Sequence, residues 1–241
     1  MDTSDNMDKT NDLPLDSSPT MVDENQNNFF SEVEENREKS FFKNSYKVLA
    51  RKYRPQNFED LMGQEIMVQT LKNAFKTNRI AHAYILTGVR GIGKTTTARL
   101  LARSLNYETE TVNEPNIDMP EIGKHCQEIM ESRHIDVIEM DAASRTGIAD
   151  IREIIDSVNY SPSSARYKIY IIDEVHMLSK AAFNGLLKTL EEPPTHVKFI
   201  FATTEVQKIP LTILSRCQRF DLKRFDHDMI KSLLNNVCEK E

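Results

Sequence analysis

Gly88-Val89-Arg90-Gly91-Ile92-Gly93-Lys94-Thr95 brings three of the chain's seven glycines within six residues and follows them with a lysine and a hydroxyl. The pattern is G-x-x-x-x-G-K-[ST], and the chemistry it suits is phosphate binding. Glycines let consecutive backbone N–H groups turn toward phosphate oxygens, and a helix N-terminus adds a favourable dipole. Lys94 would reach the terminal phosphates, and Thr95 would offer its hydroxyl to Mg²⁺. The competing reading is a glycine-containing turn that binds nothing. A strand pattern before the loop and a helix pattern after it argue for the phosphate site.

Two acids stand further along, in Ile169-Tyr170-Ile171-Ile172-Asp173-Glu174. A fully buried strand of an open parallel sheet delivers Asp173 at its carboxyl end, beside the phosphate loop, where a carboxylate can hold Mg²⁺. Glu174 is then placed to polarise water, so the pair points to hydrolysis as well as binding. Phe199-Ile200-Phe201-Ala202 ends in Thr203-Thr204. A hydroxyl there could orient the hydrolytic water or equally cap the following turn. Ile209 to Cys217 reads as a short Pro-initiated helix ending in Arg216, whose role spacing alone does not define.

Elements able to position these residues are visible in the pattern. Candidate strands are His82 to Thr87, Asp136 to Met140, Lys168 to Ile172 and Val197 to Ala202. Between them lie helical periods. Lys94 to Leu105 puts Ala98, Leu101 and Leu105 on one face; Ile148 to Val158 does so with Ile151, Ile154 and Ile155. Lys180 to Leu190 repeats the pattern with Phe183, Leu186, Leu187 and Leu190. Alternation of this kind predicts βαβ units, hence an α/β fold around a parallel sheet.

Charge is unevenly placed along the 241 residues. Residues 1–45 hold eleven of the 37 acids but four of the 31 bases, which leaves 26 acids against 27 bases in the remainder. The near-neutral body is compatible with an anionic partner. Residues 1–45 lack glycine and any helical or strand period, and are expected to be a disordered acidic tail. Phe29-Phe30 and Phe41-Phe42 within it could dock a partner or do nothing specific. No run approaches the roughly 18 apolar residues of a spanning helix, and the acidic N-terminus is unlike a signal peptide. Cys126, Cys217 and Cys238 lie far apart, which argues against a disulfide framework and suits a reducing compartment. A soluble cytoplasmic protein without a membrane partner is expected.

Several further segments make the pattern specific. They are Lys52-Tyr53-Arg54-Pro55, Phe58-Glu59-Asp60-Leu61, Gly63-Gln64-Glu65, Asp141-Ala142-Ala143-Ser144-Arg145-Thr146, Asp173-Glu174-Val175-His176, Leu190-Glu191-Glu192-Pro193-Pro194 and Ser215-Arg216-Cys217. Together with the phosphate loop, from about Tyr46 onward, they resemble the AAA+ clamp-loader ATPase family. The resemblance implies a P-loop NTPase fold with a five-stranded parallel sheet over residues 46–222, followed by the start of a helical lid over 223–241. It implies an ATP-driven motor that works with other loader subunits to place a sliding clamp on primed DNA, contacting DNA through its backbone.

By the same resemblance, Gly88 to Thr96 would bind the ATP phosphates, Asp173 with Thr95 would organise Mg²⁺, and Glu174 would activate water. Thr204 would be a sensor, and Arg216 would reach the ATP of a neighbouring subunit. Arg54 and Pro55, within the Arg51 to Glu65 segment, would pack near the adenine. Arg145 and Thr146 would approach DNA phosphates. The family usually carries a four-cysteine zinc module after the first crossover helix. Tyr107, Pro120, Gly123 and Cys126 stand at those positions here, so one cysteine remains and zinc is not expected. The chain also ends where the rest of the family's lid and collar would follow, so weaker ATP affinity and impaired assembly are expected of this form. The alternatives are a binding-only AAA+ relative with little activity of its own, disfavoured by Lys94, Thr95 and Asp173-Glu174, and another AAA+ DNA motor such as a branch-migration helicase. No polymerase active site is visible in the chain.

Overall fold

A computed structural model describes residues 48–145 and 147–241. The expected acidic tail and the reading of Thr146 lie outside the described residues. Leu49–Lys52 forms a single helical turn, α1, in which the Lys52 N–H donates to the Val48 carbonyl at 3.0 Å. Tyr53–Glu241 forms one body.

That body is a five-stranded parallel sheet. Its strands are β1 (Ala83–Thr87), β2 (Val137–Asp141), β3 (Lys168–Asp173), β4 (Val197–Thr203) and β5 (Gln218–Asp221), in the spatial order β2-β3-β4-β1-β5. The four strands anticipated from apolar runs all form. Every residue of β1 and β4 is buried, as expected of strands covered on both faces. The fifth strand that the resemblance implies is β5, whose position no apolar run marked. It is an edge strand, and Phe220 is its only buried residue, so it carries no continuous apolar run.

Alternate side chains on the pleated strands feed two cores. On one face Tyr84, Leu86, Ile169, Ile171 and Ile200 pack with Phe58 and with helices α2 (Glu65–Lys76), α3 (Lys94–Leu105) and α4 (Cys126–Met130). On the other, Ile85, Tyr170, Ile172, Phe199 and Phe201 pack with α5 (Ile148–Val158), α6 (Lys180–Glu191) and the short α7 (Leu211–Leu214). Helices α3, α5 and α6 match the sequence periods. α3 departs from a one-faced helix, because Leu100 and Ala102 are also fully buried. The reason is that α4 and the 107–119 segment cover its second side, as shown by the buried Tyr107, Ile117, Met119 and Ile129 in the same core.

Helix starts follow side-chain chemistry. The Ser179 hydroxyl accepts the Ala182 N–H at 3.2 Å at the start of α6. Asp226 accepts the Met229 N–H at 2.8 Å at the start of the last helix, α8 (His227–Lys240). α8 buries none of its residues, and Ile230, Leu233 and Leu234 are exposed. The chain leading into it is clipped to the body by Gln64. Its amide donates to the Lys223 carbonyl at 2.9 Å and accepts the Lys223 N–H at 3.1 Å. Among the described residues no helix is long and apolar enough to cross a membrane.

Candidate functional site: a phosphate loop facing two strand-end acids

Register aligns the carboxyl ends of the strands. Thr87 pairs with both Thr203 and Asp221, and Asp141 pairs with Asp173. Everything appended to those ends therefore converges on one rim, with the loop after β1 flanked by β4 and one strand further by β3.

The loop Gly88–Gly93 leaves β1 with the Gly88 N–H bonded to the Thr203 carbonyl at 3.3 Å. Gly88, Gly91 and Gly93 have φ of 150°, 81° and 98°. Gly93, at the N-cap of α3, is left-handed and offers no side-chain cap, so the first amides of α3 keep their donors free of an internal acceptor. A Cβ at Gly91 or Gly93 would meet nothing within 4 Å, so the space at these two positions is open. At Gly88 the restriction is steric as well, with the Leu222 carbonyl oxygen 3.3 Å from such a Cβ.

Lys94 is 5% exposed. Its ammonium folds back on the loop, donating to the carbonyls of Gly88 at 3.1 Å and Val89 at 3.2 Å. The nearest carboxylate oxygen is Glu174 Oε1 at 4.0 Å. A nearly buried cation satisfied mainly by carbonyl dipoles is a good host for an anion. The Thr95 hydroxyl donates to Asp173 Oδ2, tying the loop to the end of β3. Val89 and Arg90 are exposed, and Ile92 lies partly buried against the core.

Asp173 Oδ1 accepts the Glu174 N–H at 2.9 Å. Glu174 itself is left-handed, with φ 46° and ψ 44°, a conformation that costs a non-glycine residue about 1–2 kcal/mol. Its carboxylate spans the rim. Oε1 faces Lys94, while Oε2 accepts the Thr204 N–H at 3.2 Å and the Thr204 hydroxyl at 3.0 Å. The structure thus brings together Lys94, Thr95, Asp173, Glu174 and Thr204 from three different segments, the first four singled out from types and spacing and Thr204, one of two hydroxyls at its strand end, by the family resemblance. The 3-10 turn Val175–Met177 follows, and its His176 touches Glu174, Thr203 and Glu205. Sequence reasoning passed over His176 and Glu205. The available signal was an imidazole three positions after the strand-end acid.

Arg216 lies elsewhere. Its guanidinium donates to the Thr212 carbonyl at 2.6 Å, to Ser215 Oγ at 3.4 Å and to Glu191 Oε1 at 2.6 Å. The Pro-initiated helix expected over 209–217 forms but is shorter, spanning Leu211–Leu214. Val206–Lys208 is a 3-10 turn, Pro210 is the N-cap of α7, and Arg216 falls two residues beyond its end. Pro210 cannot donate in a helix interior and so marks the start. Arg54 and Pro55 are half-buried ahead of Phe58, and Arg103 from α3 donates to the Gln56 carbonyl just after them. Arg145 is exposed, with its N–H on the Asp141 carbonyl at 3.1 Å.

Away from the rim, α3 also holds an acid in the middle of β2. Arg99 forms a two-pronged bond to Glu139 at 2.8 and 2.7 Å, and Ser132 donates to the same carboxylate at 2.8 Å. Burial works to raise the Glu139 carboxyl, but these hydrogen bonds and the Arg99 charge hold it below its ordinary value. Where the family resemblance would put zinc ligands, Tyr107 is buried and hydrogen-bonded to the Glu121 backbone, and Cys126 Sγ accepts the Gly123 N–H at 3.2 Å. Among the described residues no group of three or more His, Cys, Asp or Glu is placed to hold a metal ion. A cavity of about 700 Å³ lies away from the rim, between the end of α2 and the segment Glu114 to Asp118.

Residues 63–226 match the family described as DNA polymerase III, delta subunit. The chain is 52% identical over 197 residues to the DNA polymerase III subunit tau of Salmonella typhimurium, covering 82% of this chain and 30% of that one. It is 50% identical over 196 residues to the DNA polymerase III subunit gamma of Buchnera aphidicola subsp. Schizaphis graminum, covering 81% of this chain and 53% of that one. This chain therefore spans between about a third and a half of the length of these relatives. Among solved structures, the RuvB Holliday junction branch migration motor of Thermotoga maritima superposes with a TM-score of 0.53 at 19% identity, covering 77% of this chain and 54% of that one. At that identity the likeness is one of fold alone, a parallel sheet flanked by helices.

Proposed function

The chain belongs to this DNA polymerase III subunit family, and from that premise we propose that it is an ATP-binding and ATP-hydrolysing AAA+ motor subunit of a clamp loader, acting in DNA replication in the cytoplasm. The observation that carries the reading is the meeting of Lys94, Thr95, Asp173, Glu174 and Thr204 on one rim. Gly88 to Thr96 would hold the phosphates, Thr95 and Asp173 the Mg²⁺. The open loop, the uncapped start of α3 and the carbonyl-held Lys94 all fit such a ligand. When bound, Mg²⁺-ATP supplies an electrophilic phosphoryl group. Lys94 would exchange its loop carbonyls for phosphate oxygens. Glu174 would orient water and accept its proton, and Thr204 would hold that carboxylate until the site is filled.

Arg216, on its separate turn, would serve a neighbouring subunit's site, which explains a motor that turns over only when assembled. Arg54 and Pro55 would line the adenine. Other loader subunits, a sliding clamp and the backbone of primed DNA, approached by Arg145, are the proposed partners, and residues 223–241 are proposed as the beginning of a lid. Zinc has no part in this reading.

Calorimetry with Mg²⁺-ATP, beside steady-state phosphate release with and without partner subunits and primed DNA, tests it. Binding with little turnover alone and more on assembly is expected. Absence of ATP binding by the chain, alone and assembled, would sink the reading.

A further inference from the structure

His176 is a buried imidazole, with its side chain 6% exposed, held between two carboxylates on different segments. Its Nδ1 lies 3.1 Å from Thr203 Oγ1 and 3.4 Å from Glu174 Oε2. Its Nε2 lies 3.3 Å from Glu205 Oε1, and Lys208 donates to that same oxygen at 2.9 Å. Thr203 Oγ1 also accepts the Glu205 N–H at 3.0 Å. A histidine that merely filled space would need one partner for each nitrogen. This one instead joins the strand-end acid of β3, the end of β4 and the turn that follows β4.

The position of that turn matters. Val206–Lys208 leads through the buried Ile209 and the N-cap Pro210 into α7 and then Arg216. One nitrogen of the His176 ring thus lies against the carboxylate proposed to activate water, and the other against the base of the segment that carries the arginine.

We infer that His176 is a positioning residue for Glu174, fixing where its carboxylate rests against Thr204 and linking that position to the 205–208 turn ahead of Arg216. The inference rests on the reading of Glu174 as the hydrolytic base. Glu174 has a left-handed backbone and one oxygen already shared by two Thr204 donors, so a small rotation decides whether it faces Thr204 or water. Misplacement of a catalytic group by about 1 Å can cost up to about 10²-fold in rate. Thr204 remains as a partner when the ring is removed, so a smaller loss is expected.

The test compares His176→Ala, His176→Asn and Glu205→Gln with the unaltered chain, each assembled with its partner subunits and primed DNA, over a range of ATP concentrations. His176→Ala should lower kcat about tenfold while the ATP dissociation constant stays within about twofold. His176→Asn keeps a polar atom near the Nδ1 position and should restore most of kcat, with Glu205→Gln intermediate. An Ala variant that turns over like the unaltered chain overturns the inference. So does an equal loss in Ala and Asn accompanied by parallel losses of melting temperature and ATP affinity, because that is the behaviour of a core-filling residue. Failure of the underlying reading looks different. An unaltered assembly that does not hydrolyse ATP, or one indifferent to Glu174→Gln, would remove the hydrolytic role of Glu174 and this inference with it.

Discussion

Two acids at opposite ends of the same sheet are held in contrasting ways. Asp136 precedes β2, at the amino end, and is 2% exposed. Its oxygens accept N–H groups from Ser163 at 2.7 Å, Ser164 at 2.8 Å and Ala165 at 2.9 Å, and the Ser164 hydroxyl at 3.1 Å. Glu174 follows β3, at the carboxyl end, and its side chain is 27% exposed. One of its oxygens is engaged by Thr204 and the other faces Lys94 across 4.0 Å. Saturated acceptors fix a loop and leave nothing to react. An acid with spare lone pairs on a strained backbone can exchange partners when a ligand arrives. The comparison teaches that the end of the sheet, more than residue type, separates scaffold from reactive rim.

The largest expected effect tests whether the rim is complete within one chain. Arg216→Ala should leave the variant's own ATP affinity within about twofold and lower phosphate release at the neighbouring site on the order of 10³-fold, as for other arginine fingers. Unchanged release in the assembled loader would confine Arg216 to its observed bond with Glu191. Next, Glu174→Gln should keep binding and cost at least about 10²-fold in turnover. Turnover that persists would place Glu174 with Asp136 as a structural acid. Lys94→Ala should weaken ATP binding about 10²-fold by calorimetry, the worth of charge-assisted bonds of about 1.5–3 kcal/mol. Intact affinity would mean the loop carries the phosphates without its lysine.

The contrast also explains what was legible in the sequence. Strands β1, β3 and β4 announce themselves because both faces are buried, so no polar residue interrupts Tyr84-Ile85-Leu86 or Ile169-Tyr170-Ile171-Ile172. Strand-end logic then locates Asp173 and Glu174 and narrows the hydroxyl to Thr203 or Thr204, since a parallel sheet collects its carboxyl ends on one side. β5 escapes because an edge strand needs only Phe220 inside. Helix α2 escapes because Met67 and Leu71 are its only buried residues. The Gln64 clip to Lys223 and the bridging of Glu174 and Glu205 by His176 join residues far apart or turned by a 3-10 segment, and local period carries no trace of them. Arg216 could be named from the resemblance but not placed, because its bonds to the Thr212 carbonyl and to Glu191 of another helix leave no mark in local spacing.

Asp136→Asn tests the opposite end. It removes one acceptor oxygen from a saturated carboxylate and should cost about 2 kcal/mol, a fall of roughly 4–8 °C in melting temperature, with ATP affinity unchanged. A loss of affinity alongside stability would show that the amino end supports the rim and that the two ends are not separable.

The smallest effect is the pH dependence of that same difference. Burial pushes the Asp136 carboxyl up, but the three backbone donors and the Ser164 hydroxyl outweigh it and hold the group below its ordinary 3.8. A depressed carboxyl stabilises the fold above its unfolded value, and that contribution is lost as pH falls through the folded one. His134 acts at higher pH. Burial, then the neighbouring His125 at 2.8 Å, keep its imidazole below the ordinary 6.5, so the unfolded chain binds the proton first. Stability should therefore begin to decline below about pH 6.5 and decline again below about pH 4. Denaturant unfolding of the unaltered chain and of Asp136→Asn across this range separates the steps. The gap between the two chains should widen as His134 titrates, because the variant lacks the Asp136 charge that raises the His134 imidazole, and narrow below about pH 4, because only the unaltered chain loses the Asp136 carboxylate there. A gap that narrows near pH 6 instead would assign the Asp136 contribution to its neighbours' titration, and the saturated acid would no longer explain the rigidity of its end of the sheet.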